Sequence, residues 1–130
     1  NMKKIILSLL VYSVLGCAFA QKIPATNKKI IAFIDSKMGK KVDRGECWDL
    51  ANQALIYANA QHPNLYEFGI NINPSKETVF PGDILQFSGV EVKYEKDGTT
   101  FYESMQHHTA IVYKVIDKNK FILHISSSDN

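Results

Sequence analysis

Cysteine is scarce in this sequence, with only Cys17 and Cys47 among 130 residues. If Cys17 is removed or modified with the N-terminal segment, Cys47 is left as a lone thiol that no internal disulfide can consume. Also missing is any apolar run near the ~20 residues that a membrane-spanning helix needs. The longest, over residues 5–15, is too short to serve as a stable anchor. There is no basic block either. Residues 1–20 hold Lys3 and Lys4 and no acid, so the remainder carries 13 basic and 13 acidic side chains and is formally neutral. A neutral chain without a basic stripe does not neutralise phosphates, which argues against nucleic acid as a partner. Repeats and low-complexity tracts are absent apart from Ser126-Ser127-Ser128.

What is present begins with a three-part leader pattern: Lys3-Lys4, the apolar run, then small residues at Gly16, Ala18 and Ala20. This reads as a secretory signal over residues 1–20 and predicts an exported protein, periplasmic or extracellular. Two endings compete. Ala18-Phe19-Ala20 before Gln21 suits ordinary cleavage, whereas Val14-Leu15-Gly16-Cys17 has the form of a lipoprotein box, which would place a lipid anchor on Cys17. Only in that second case is a membrane a partner. Residues 21–130 make one domain's worth of chain, enough for a single core.

Along that domain the period of the apolar residues changes. Thr26 or Asn27 can cap a helix running to about Lys37, with Ile30, Ile31, Phe33 and Ile34 as its stripe and Gly39 as its stop. A polar loop over residues 40–45 follows. Cys47, Leu50, Ala51, Ala54, Leu55 and Ala58 then repeat at helical spacing, so Cys47 sits in the first turn of a helix that His62-Pro63-Asn64 ends. Beyond residue 75 the period becomes two, predicting strands over 78–80, 83–87, 91–94, 99–102, 108–116 and 121–125. Asp97-Gly98 is a two-residue hairpin signal, and residues 117–120 suit a longer loop. Helices first and antiparallel strands afterwards predict an α+β domain with the Cys47 helix laid on the sheet.

The chemistry centres on Cys47. A cysteine attacks as its thiolate, and a pKa near 8.5 can fall to ~3.5–7.5 at a helix N-terminus or beside an imidazolium. The start of the helix could also supply backbone N–H groups to an oxyanion. Glu46 and Asp49 oppose this by favouring the neutral thiol, with only Arg44 against them locally. A base is therefore needed. His62 lies at the far end of the helix, ~22 Å away at 1.5 Å per residue. His107 and His108 open the most apolar strand. Alternation puts His108 with Ala110 and Val112, and small Ala110 lets a helix approach, so His108 is the choice and His107 the reserve.

Gly45-Glu46-Cys47-Trp48-Asp49-Leu50-Ala51, Pro81-Gly82-Asp83-Ile84-Leu85-Gln86-Phe87 and His108-Thr109-Ala110-Ile111-Val112, in that order, resemble the NlpC-like and CHAP cysteine peptidases and amidases. The likeness spans residues 45–125. It implies a papain-like fold, Cys47 as nucleophile, His108 as base, and attack on amide bonds, commonly in peptidoglycan peptides. No cofactor or metal is implied, and the spacing of Cys47 and the histidines forms no short paired-ligand zinc motif. In the family a polar residue on the next strand orients the imidazole, for which His124 and Ser127 are the candidates. A four-residue loop at 117–120 pairs His124 with Tyr113, ~17 Å along the strand from His108, and Ser127 with Ala110. The competing class is a binding module of the same fold that recognises a cell-wall fragment or a protein without turnover, and a structural lipoprotein anchored at Cys17 is the third reading. Tyr94, Phe101 and Tyr102 of the hairpin are placed either to line a cleft or to pack across strands.

Overall fold

The computed structural model describes residues 22–60, 68–118 and 120–124. The leader pattern with Cys17, the His62-Pro63-Asn64 stop and Ser127 lie outside the described residues. Two helices, α1 (Ala25–Lys37) and α2 (Cys47–Ala58), precede three strands, β1 (Ile84–Lys96), β2 (Thr99–Asp117) and β3 (Lys120–His124). The strands form an antiparallel sheet in the order β1-β2-β3. This is the expected α+β order.

Helix α1 buries Ile30, Phe33 and Ile34, which fall on one side of the helix at spacings of three and four. Its N-cap is Pro24, not Thr26 or Asn27, and no side chain caps it. Asn27 is used elsewhere: its Nδ2 donates to Pro81 O at 3.1 Å and to Asp83 Oδ1 at 2.7 Å. Helix α2 buries Leu50, Ala51, Ala54, Leu55 and Ala58 against α1. It ends at Ala58, before the expected stop, because Asn59 adopts the left-handed conformation at φ 54° and Ala60 N–H returns to Leu55 O at 3.0 Å. Asn is among the few residues that tolerate that position.

The strand segments expected at 83–87 and 91–94 are one strand, and so are those at 99–102 and 108–116. The ladder runs on across Gly89, since pairing resumes in the same register at Val90↔Met105. Asp97 and Gly98 have φ 52° and 76°, the two positive values that a tight primed hairpin turn needs. Residues 78–80, expected as a strand, are not one. Phe80 N–H instead donates to Asp83 Oδ2 at 2.8 Å, closing a turn. That turn docks on β2, with Gly82 N–H to Val112 O at 2.7 Å and Val112 N–H to Asp83 O at 2.8 Å.

Two irregularities interrupt the β2–β3 ladder, between Val112 and Lys114 and between Val115 and Asp117. Asp117 pairs with Lys120, so the loop is tighter than the four residues expected. Each irregularity shifts the register by one. His124 consequently pairs with Ile111 and not with Tyr113.

The main core joins both helices to one face of the sheet. Ile111 belongs to it, with Ile84 and Tyr113 packed at its margin. Ile84 and Ile111 are register partners, and Tyr113 Oη reaches Asp35 Oδ1 on α1 at 2.7 Å. Partners share a face and faces alternate, so the helix-covered face continues through Gln86 with Thr109 and Ser88 with His107. Ala110 and Val112 are fully buried but do not belong to that cluster.

Candidate active site

Cys47 is the first residue of α2, half-buried and not in a disulfide. A helix's first turn presents N–H groups that have no intrahelical acceptor, so the thiol stands where partial positive charge collects. The loop that delivers it is tightly folded. Val42 is buried, Gly45 N–H donates to Val42 O at 2.9 Å, and Asp43 and Gly45 take positive φ of 51° and 88°.

The carboxylate of Asp49 holds this loop to the helix. It is only 3% exposed, and it accepts Glu46 N–H and Arg44 N–H at 3.1 Å each and the Arg44 guanidinium at 2.8 Å. Burial pushes its pKa up, but the Arg44 guanidinium and the two backbone donors outweigh burial and hold it below the ordinary carboxylate value. Arg44 also meets Glu46 at 3.2 Å on the exposed side, and its own pKa is raised, chiefly by the bond to Asp49.

Glu46 and Asp49 were expected to act against Cys47 as unopposed charges. Both are instead paired with Arg44, and Asp49 is the helix's N3 residue in a capping arrangement. The signal was in the sequence, as an acidic residue three positions after the residue preceding the helix is the usual capping spacing.

The histidines lie on β2 as expected, one on each face. His107 follows the helix-covered face of Ile111 and Thr109. His108 shares the other face with its partner Phe87, the two rings stacked at 6.1 Å and 25°. The expectation that the helices cover the face of His108, Ala110 and Val112 is therefore corrected: Ile111 is the larger apolar side chain, and the core closes on it. His108 Nε2 is buried and has no hydrogen-bond partner, as is Thr109 Oγ1. No hydrogen bond joins Cys47 to His108. On the backbone, His124 stands opposite Ile111, three residues or ~10 Å from His108 and two residues nearer than the unbroken ladder would set it.

Among the described residues no group of three or more His, Cys, Asp or Glu side chains could hold a metal ion. What remains is a thiol at a helix N-terminus, a locked loop before it, and two imidazoles on the strand that the helix packs beside.

Comparison with known proteins now bears on this arrangement. The model of the AIM3/BBC1 cysteine proteinase-fold domain matches residues 25–129, most of the chain. The chain belongs to this family. Its papain-like fold is thereby shown, while the finer likeness to NlpC-like and CHAP enzymes is not. A relative, Altered inheritance of mitochondria protein 3 of the yeast Debaryomyces hansenii, is 30% identical over 101 residues, covering 64% of this chain. The match takes in 11% of that relative's length. No solved structure matches the chain. As an AIM3/BBC1-type domain it therefore has a eukaryotic relative, which contrasts with the bacterial cell-wall setting implied by the motif resemblance.

Proposed function

We propose that this domain is a thiol hydrolase acting on amide bonds of peptides, with Cys47 as the nucleophile. The observation that carries the reading is the position of Cys47, a half-buried thiol heading a helix whose preceding loop is fixed by Asp49 and Arg44. A positioned thiol attacks the carbonyl, an imidazole takes its proton and returns it to the leaving amine, and the helix start holds the oxyanion. His108 is the base in this reading, since its buried Nε2 lacks a partner and a thiol would supply one. His107 is the alternative, because it follows the face against which the helices pack. Export through the leader over residues 1–20 belongs to the same proposal and is checked by sequencing the N-terminus of the secreted form. Peptidoglycan is the narrower substrate that the motif resemblance implied, and the yeast relative gives it no support.

The second reading is a binding module of the same fold without turnover. It is favoured by the placement of His108 beside Phe87, away from the helix-covered face. The rate of Cys47 alkylation against pH separates the two. In a hydrolase the apparent pKa lies well below the free cysteine value and rises in His108→Ala, or in His107→Ala if that ring is the base. A thiol that reacts slowly and ignores both substitutions leaves the binding module.

A further inference from the structure

The register extends the helix-covered face far beyond the helices. From Ile84↔Ile111 it runs through Gln86↔Thr109 and Ser88↔His107, then to Val90↔Met105, Val92↔Glu103 and Tyr94↔Phe101. Val90, Val92 and Met105 on this face are half-buried. Tyr94 and Phe101 are 38% and 40% exposed, and their rings stack at 5.3 Å. The opposite face of the same ribbon carries Glu91, Lys93 and Glu95, with Lys93 Nζ lying 5.9 Å from the Tyr102 ring centroid. One face is thus an apolar row and the other is charged. The row is continuous with the core at one end and passes His107 on the way.

We propose that this inner face of the β1–β2 ribbon is a subsite for apolar side chains of an extended peptide, whose backbone it leads toward Cys47. The inference rests on the hydrolase reading and names its substrate class: peptides with large apolar residues on one side of the scissile bond. Two features select a single extended segment as the occupant. The ribbon is two strands wide, with strands ~4.8 Å apart, which offers one row of side-chain sites and no broad interface. The row is also continuous with the candidate site, so a segment lying along it has only one productive direction. An isolated two-stranded ribbon is marginal in water, so a bound chain would add order where the ribbon has least.

The test uses the full chain as Cys47→Ala, labelled with 15N and titrated with two acetylated, amidated pentapeptides, one alternating leucine with glycine and one alternating serine with glycine. The leucine peptide is expected to bind about tenfold or more tightly and to shift the amides of Val90, Val92, Tyr94, Phe101, Met105 and His107. Phe101→Ser should reduce that preference severalfold, and Tyr102→Ser on the outer face should leave it unchanged. Equal affinity for the two peptides, shifts confined to other elements, or ribbon shifts that follow protein concentration without peptide would overturn the inference, the last by showing that a second copy covers the row. Failure of the hydrolase reading is seen separately. An unreactive Cys47 with intact leucine preference leaves a peptide-binding row on a domain without turnover, whereas a reactive Cys47 with no preference removes the row alone.

Discussion

The two halves of the β1–β2 hairpin share their strands, their register and their alternation, yet differ in what covers them. Near the helices Ile111 and Ile84 meet Ile34, Leu55 and the alanines of α2 in the core. Farther out, Tyr94 and Phe101 face one another with both rings partly in water. The contrast teaches that a ladder of backbone hydrogen bonds sets geometry, while burial of apolar surface supplies most of the stability. The near half should be rigid because of its packing, and the far half should open readily.

The largest effect expected from this contrast is in the core. Ile34→Ala removes a fully buried side chain and should cost about 2–5 kcal/mol in urea unfolding, whereas Tyr94→Ala should cost less than about 1 kcal/mol. Similar losses would show that the ribbon is as well packed as the core. Next come two glycines with positive φ. A Cβ at Gly82 (φ 90°) would lie 2.7 Å from Asn27 O, while at Gly98 (φ 76°) it would meet nothing within 4 Å. Gly82→Ala should therefore cost about 2–3 kcal/mol, conformational strain plus a clash, and Gly98→Ala about 1 kcal/mol from strain alone, both read as changes in denaturation midpoint.

Asp49→Asn should cost about 1–3 kcal/mol near neutral pH, through the lost charge on a buried group with three donors. The pH dependence has a definite sign. Because the folded carboxylate titrates below its ordinary value, its stabilisation is complete above that value and drains away as pH falls through the folded pKa. The substitution should flatten this acid limb, and an unchanged acid limb would show that Asp49 is not its source. Smallest is the Tyr94–Phe101 pair, for which a double-mutant cycle should give about 0.5–1 kcal/mol. Amide exchange sharpens the same comparison without mutation, with slow amides expected at residues 109–112 and fast ones at 99–104.

The sequence was informative wherever one residue type met one local need. The spacing from Cys47 to Ala58 predicted α2, and Asp97-Gly98 predicted the turn, because both signals are read within a few residues. The order of helices and strands was legible for the same reason. The continuity of β1 across Gly89 was not, since glycine reads as a break unless the partner strand is known. Placement of Cys47 at a helix start and of two histidines on β2 was legible. Which histidine follows the helix-covered face was not, because alternation separates the faces without saying which one the core selects. Asp49 was misread for a related reason: its charge is visible in the sequence, but its partners lie in a loop whose fold depends on Asp43 and Gly45 taking left-handed conformations.

The two irregularities between β2 and β3 have a further consequence. Each slides one strand past the other by a single residue, about 3.3 Å, so together they work as a vernier on the sheet. Length changes in this corner would then move β3 along β2 in small steps and leave the helices undisturbed. Deleting Tyr113 would set β3 back by one notch and turn its far side chains to the other face. Lineages of this domain that differ by one residue here should differ in which β3 side chain stands nearest the histidines, giving a route for the third member of the site to change while Cys47 keeps its place.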